Sequence, residues 1–88
     1  MRELSATEKE GLREAMLEVV DTQITVGDPP ETAATLQRLL DEGFNEADAR
    51  HLIAGAVVEM TVNVMHGHEY DPARYVKLLN RLPKLPWE

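Results

Sequence analysis

The sequence predicts an all-α protein, a small four-helix bundle packed around one long central helix at about residues 46–66. Apolar residues recur every three or four positions through most of the chain, which is the period of an amphipathic helix. Cap residues, prolines and glycines divide this pattern into four segments. A chain of 88 residues with 43% hydrophobic content suits one domain with one core. We therefore expect residues 1–88 to form a single helical domain, with 83–88 as an extended C-terminal tail.

The first helix is expected to begin after Ser5 or Thr7. Ser5 with Glu8, and Thr7 with Glu10, each have the spacing of a capping box, in which side chains and backbone amides satisfy each other. An amphipathic apolar stripe follows, made of Leu12, Ala15, Met16, Val19 and Val20. Residues 22–27 could continue this helix or run extended, because the β-branched side chains of Ile24, Thr25 and Val26 lose rotamer freedom in a helix. We therefore expect a frayed helix end and a linker there.

The second helix is expected to run from Pro29 or Pro30 to about Glu42. Asp28 is an N-cap residue type directly before the prolines, and proline is favoured at the first helical position. Gly43 suits the left-handed position that ends a helix. The inward positions are expected to be Ala33, Leu36, Leu39 and Leu40.

The fourth helix is expected to begin at Asp71-Pro72 and to end near Leu82, because Pro83 disfavours helix in the residue before it. Its inward positions are predicted to be Tyr75, Val76, Leu79 and Leu82. Trp87 then stands in the tail, where it either folds back over the core or serves as an anchor for a partner. We favour folding back, because a tryptophan contributes more by burial than by exposure.

The central helix, capped by Asn45, is the most informative element because it is apolar on two sides. One broad face is expected to be the core stripe, with Ala49, Leu52, Ile53, Ala56, Val57, Met60 and Val64. A second strip on nearly the opposite side consists of Ala54, Gly55, Val58, Val62 and Met65. A helix with two apolar sides has to be covered on both.

Two arrangements would cover this second strip. A second copy of the chain could pack on it, because small residues allow close helix approach and twofold dimers are the commonest oligomers. The first and fourth helices of the same chain could instead enclose it. The sequence leaves both open, and we expect a homodimer or another protein partner to bind at Ala54, Gly55, Val58, Val62 and Met65.

Charge and composition argue against several classes of function. The net charge is −7, and residues 1–73 alone carry 15 acidic and five basic side chains, so a nucleic-acid partner is not expected. No apolar stretch approaches the length of about 20 residues that crosses a membrane. The chain has no cysteine, which removes thiolate metal sites and suits a reducing cytoplasm. Its glycines occur singly, so no phosphate-binding loop and no cofactor are predicted.

Four residues are candidate metal ligands: His51, Glu59, His66 and His68. Imidazole and carboxylate groups bind zinc, iron or manganese, and the first three residues share one side of the central helix. Their spacing is unfavourable, since two helical turns, or about 10 Å, separate each pair along the axis. We predict no catalytic residues, and a metal-binding or catalytic protein is the alternative to an interaction module.

One resemblance concerns residues 28–83, about two-thirds of the chain. Its motifs are Pro30-Glu31-Thr32, Leu36-x-Arg38-Leu39-Leu40-x-x-Gly43, Ala49-x-His51-Leu52-Ile53, and Asp71-x-x-Arg74-Tyr75 before Leu79-Asn80-Arg81-Leu82-Pro83. This pattern resembles small bacterial helical proteins of domain-of-unknown-function families, some of whose relatives carry a cysteine-rich zinc-binding tail. The resemblance implies a bacterial cytoplasmic protein without an established activity. This chain has no such tail, so the resemblance implies no metal role for it.

Overall fold

The computed structural model describes residues 4–87, which form five α-helices and no strand. The helices are α1 (Ala6–Ala15), α2 (Leu17–Val26), α3 (Pro30–Asp41), α4 (Glu46–Met65) and α5 (Pro72–Arg81). The long helix α4 lies at the centre and packs against each of the other four. The predicted all-α fold around a long central helix is therefore confirmed. Within the described residues, no helix is both long enough and apolar enough to cross a lipid bilayer.

The first predicted helix is divided in two, which gives five helices in place of four. The division falls at Met16, whose φ of −85° and ψ of −6° interrupt the regular geometry between α1 and α2. Of the two possibilities for residues 22–27, the helix continues, and the favoured frayed end and linker is wrong, because α2 extends to Val26 and ends at Gly27 in the left-handed conformation with φ 77°. β-Branched residues cost a helix well under about 1 kcal/mol each, and the packing of fully buried Val20 outweighs that preference.

The predicted caps of α1, α4 and α5 are confirmed. The Glu8 amide donates to Ser5 Oγ at 3.2 Å, and the Ser5 amide donates to Glu8 Oε1 at 3.1 Å. The side chains of Asn45 and Asp71 likewise accept backbone amides in the first turns of α4 and α5. These bonds satisfy amide groups that the first turn of a helix otherwise leaves unpaired. The sequence alone therefore sets where three of the five helices begin.

The start and end of α3 follow the prediction with one correction. Pro29, and not Asp28, occupies the N-cap position, and no side chain caps this helix. Proline lacks an amide hydrogen, so Pro30 as the first helical residue removes one of the donors that a cap would satisfy. Gly43 ends the segment with φ 103°, and the Phe44 amide donates to the Leu39 carbonyl at 3.1 Å. This is the predicted glycine helix stop.

Helix α4 is covered on both of its apolar sides by its own chain. The second strip is enclosed, since Ala54 and Val58 are fully buried and Gly55 and Val62 are also buried. The atoms nearest Gly55 outside α4 belong to Arg13 in α1 and to Leu85 and Trp87 in the tail. Four residues of the predicted homodimer interface, Ala54, Gly55, Val58 and Val62, are therefore buried within the single chain. Met65, the fifth member, is 46% exposed.

The C-terminal tail turns back instead of running extended. Helix α5 ends at Arg81, as Pro83 predicts, and the Lys84 amide donates to the Arg81 carbonyl at 3.0 Å. This turn directs Leu85 into the core, where it is 8% exposed. Trp87 is partly buried against the same core, which confirms that it folds back.

Candidate functional site

An open apolar groove lies along the C-terminal half of α4. Buried side chains of α4 and α5 form its floor, Val57, Met60 and Tyr75. Its rim consists of Gln23, Thr61, Val64, Met65 and Tyr70. The volume of this apolar groove is about 290 Å³, and none of the described residues that line it is charged. Pockets that bind drug-sized ligands have volumes of about 300–1,000 Å³. The apolar groove therefore suits a single apolar side chain better than a drug-sized molecule.

A buried hydrogen-bond network supports the floor of the groove. The Tyr75 hydroxyl donates to Gln23 Oε1 at 2.9 Å, and the Thr32 hydroxyl donates to the same oxygen at 2.8 Å. The two hydroxyl oxygens are 3.2 Å apart. Burial raises the pKa of Tyr75, against the opposing effect of the hydrogen bond with Thr32, so the phenol stays protonated and remains a donor. The network joins α2, α3 and α5 and holds the Gln23 side chain at the edge of the groove.

A polar recess adjoins the apolar groove and shares Met60 and Tyr70 with it. Its volume is about 540 Å³, and its other lining residues are Asn63, His68, Glu69, Asp71, Pro72 and Arg74. Asn63 Nδ2 is buried and has no hydrogen-bond partner among the described residues. An unpaired buried amide costs about 1–3 kcal/mol. Asn63 also lines the small cleft formed with Lys9, Glu59 and His66, so its side chain lies between the two cavities.

Exposed apolar side chains concentrate at this end of the molecule. Within residues 4–87, the large hydrophobic residues that are exposed are Val19, Val26, Val64, Met65 and Tyr70, which we call the apolar patch. Three of the five line the apolar groove directly. The other two lie on α2 one turn to either side of Gln23, within about 60° of it around the helix axis. Val19 and Val26 therefore lie on the same side of α2 as Gln23 at the rim of the groove.

The four candidate metal ligands are not brought together. His51 Nε2 lies 2.6 Å from Glu14 Oε1, and Glu59 forms an ion pair with Lys9 at 3.1 Å. His66 follows α4 and shares a small cleft of about 120 Å³ with Lys9 and Glu59. His68 lies in the polar recess. Among residues 4–87, no three histidine, aspartate or glutamate side chains are arranged to hold a metal ion.

His51 instead connects α4 to α1. Its hydrogen bond to Glu14 is the main reason that its pKa is raised, with a smaller contribution from the Ala47 carbonyl and against the opposing effect of burial. Arg50, the neighbouring residue, pairs with Glu46 within α4 and reaches Asp21 on α2. The side chains of His51 and Arg50 therefore link α4 to α1 and α2, which is a structural role.

Comparison with known proteins finds no matching family model, no matching curated protein and no matching solved structure. The resemblance to bacterial domain-of-unknown-function proteins stays a prediction. The features that bear on function are therefore the apolar groove, the polar recess and the apolar patch.

The sequence predicted parts of this site for a different role. Val64 was expected in the core stripe of α4 and Met65 in the second strip, and both are about half exposed, Val64 at 49%. Helical periodicity assigned the faces correctly, but it did not show where the covering helices end. Thr32 shares the inward face of α3 with Leu36 and Leu39, and this spacing was the available signal for the buried network.

Proposed function

We propose that this chain is a protein–protein interaction module that self-associates through its apolar patch. The observation that carries the proposal is the concentration of the exposed hydrophobic side chains around one uncharged groove. Contiguous exposed apolar surface on a small domain is typical of an interaction site. The proposal keeps the self-association expected from the sequence and moves it from the covered strip of α4 to the open end of that helix.

The shape of the surface supports a second copy of the chain as the partner. The patch combines an apolar groove with the exposed side chains of Val64, Met65 and Tyr70 at its rim. A twofold interface uses the same surface on both copies, so a face with both features is self-complementary. Methionine adapts its shape readily to such contacts.

Charge also favours contact at this face. Two copies of a chain with a net charge of −7 repel each other over most of their surfaces. The apolar groove has no charged lining residue among those described, so contact within the groove itself places no like charges together, and the adjoining recess carries Arg74 beside Glu69 and Asp71. Added salt screens the remaining repulsion, and we therefore expect self-association to strengthen as the ionic strength rises. The absence of cysteine is consistent with a module that works in a reducing cytoplasm.

Val64→Glu is expected to weaken self-association at least about tenfold, which corresponds to about 1.4 kcal/mol, because a carboxylate would be buried in the interface. Val64 is half exposed in the monomer, so the fold should survive the substitution. Sedimentation equilibrium of the wild type and the variant, at chain concentrations up to about 1 mM, measures the change.

Ala34→Glu is the matched control for this experiment. Ala34 is exposed on α3 and lies outside both the groove and the recess, so this variant adds the same charge elsewhere. It should associate like the wild type. A wild type that stays monomeric over the whole concentration range, or two variants with equal effects, would contradict the proposal.

A further inference from the structure

The C-terminal tail lies in a groove between α1 and α4 that is separate from the apolar patch. Gly55 on α4 forms the floor of this tail groove, and Lys9, Glu10 and Arg13 on α1 form its wall. A Cβ atom at position 55 would overlap Leu85 Cδ2 and would come within 3.3 Å of Trp87 Cη2. The missing side chain of Gly55 therefore makes the space that the tail occupies.

The wall of the tail groove recognises the tryptophan by its chemistry. The Trp87 indole Nε1 donates to Glu10 Oε1 at 3.0 Å, and Lys9 Nζ lies 6.0 Å from the centre of the indole ring. A cation over an aromatic ring and a carboxylate that accepts the indole N–H are both specific for tryptophan over leucine or methionine.

Two ion pairs hold these wall residues in place. Arg13 Nη2 binds Glu10 Oε2 at 2.8 Å, and Lys9 Nζ binds Glu59 Oε2 at 3.1 Å. The Lys9 and Glu59 side chains are only 15% and 16% exposed, so this pair is shielded from the full screening of water. These pairs therefore link α1 to α4 at Lys9 and Glu59 and fix Glu10 against Arg13 within α1.

We propose that the tail groove is an acceptor site for a protein segment with leucine followed two residues later by tryptophan. The chain's own Leu85-Pro86-Trp87 occupies the site in cis and shows what ligand it takes. Every contact described above joins a side chain of the ligand to a residue of α1 or α4, so a segment from a partner protein could make the same contacts. Such a partner competes with the attached tail, whose effective concentration is of the millimolar order expected for a short linker.

The first test uses the full chain with Leu85→Ser and Trp87→Ser, which vacates the groove. The probe is a fluorescein-labelled peptide with the sequence of residues 82–88, and the readout is fluorescence anisotropy. The vacated chain is expected to bind the peptide saturably, and the wild type at least tenfold more weakly because its own tail competes. Absence of binding by a folded vacated chain at peptide concentrations up to about 1 mM overturns the proposal.

Glycine substitutions in the vacated chain locate the binding. Gly55→Leu fills the floor of the groove and should weaken peptide binding at least tenfold. Gly11→Leu is the matched control, because Gly11 is an exposed glycine of α1 with no atom near its Cβ position. Equal effects of the two substitutions would contradict a site at Gly55. Peptide binding does not depend on the apolar patch, so its outcome is independent of self-association.

If the vacated chain does not fold, the wild type provides a second test of the same proposal. Excess unlabelled peptide added to the ¹⁵N-labelled wild type should displace the tail, with the indole N–H signal of Trp87 half shifted at peptide concentrations of about a few millimolar. An indole signal that does not move over this range overturns the proposal.

Discussion

Val58→Glu is expected to unfold most of the chain at 25 °C, whereas the same substitution at Val64 leaves it folded. Val58 is fully buried in α4, and Val64 on the same helix is half exposed. A buried, unpaired carboxylate costs several kcal/mol, because the charge loses its hydration without gaining a partner. Domains of this size have total stabilities of about 4–13 kcal/mol, at about 0.05–0.15 kcal/mol per residue. The expected cost is therefore a large fraction of the whole.

Far-ultraviolet circular dichroism and thermal unfolding of the two variants measure this difference. The two proteins have identical composition, so a difference in helical signal or Tm reports only the environment of the substituted residue. A Val58→Glu chain with the Tm of the wild type would show that the second strip of α4 is open in solution. That result would contradict the enclosure of the second strip by α1 and the tail. The second strip would then again be a candidate interface.

Gly55→Ala is expected to have very different effects on stability with and without the Leu85 side chain. In the wild type the new Cβ overlaps Leu85 Cδ2, and Leu85 is buried, so it has little room to rotate away. Overpacking of this kind costs about 1–3 kcal/mol. With Leu85→Ala in place the overlap is gone, and alanine should stabilise α4 by up to about 1 kcal/mol through its higher helix propensity.

A double-mutant cycle on Gly55→Ala and Leu85→Ala, measured by urea unfolding, gives the coupling directly. We expect an interaction free energy of about 1–3 kcal/mol, in the range found for side chains in direct contact. Gly11→Ala in the same two backgrounds is the control and should show coupling near zero, because no atom lies near its Cβ position. A Gly55 cycle that is additive within about 0.5 kcal/mol would mean that the tail does not lie on Gly55.

The elements that sequence predicted best are those fixed by local chemistry. Ser5, Asn45 and Asp71 cap their helices as expected, because each side chain bonds to a backbone amide two or three residues away. Gly43 ends its helical segment for an equally local reason, since its left-handed conformation disfavours other residues. Such signals need no information about the rest of the fold. They locate the starts of α1, α4 and α5 and the end of α3.

The features that were not predicted from the sequence depend on how the helices pack, because packing decides which face of each helix is covered. The spacing of apolar residues in α4 indicated two apolar sides, but it did not indicate that α1 and the tail enclose one of them. The division at Met16 has no local signal, because neither glycine nor proline is present there. Val64 and Met65 are apolar and at inward positions, yet no neighbouring helix covers them. Val64 and Met65 of the candidate site were therefore recognised as apolar but assigned to covered faces of α4.

The most direct test of the proposed self-association is an isotope-filtered NMR experiment on an equal mixture of ¹³C-labelled and unlabelled chains. In such a sample, filtered nuclear Overhauser effects arise only between different copies. If the chain self-associates through the apolar patch, we expect intermolecular contacts from the methyl groups of Val64 and Met65, with the Tyr70 ring among their partners. Intermolecular contacts confined to surfaces outside the apolar patch, or none at a concentration of about 1 mM, would contradict it.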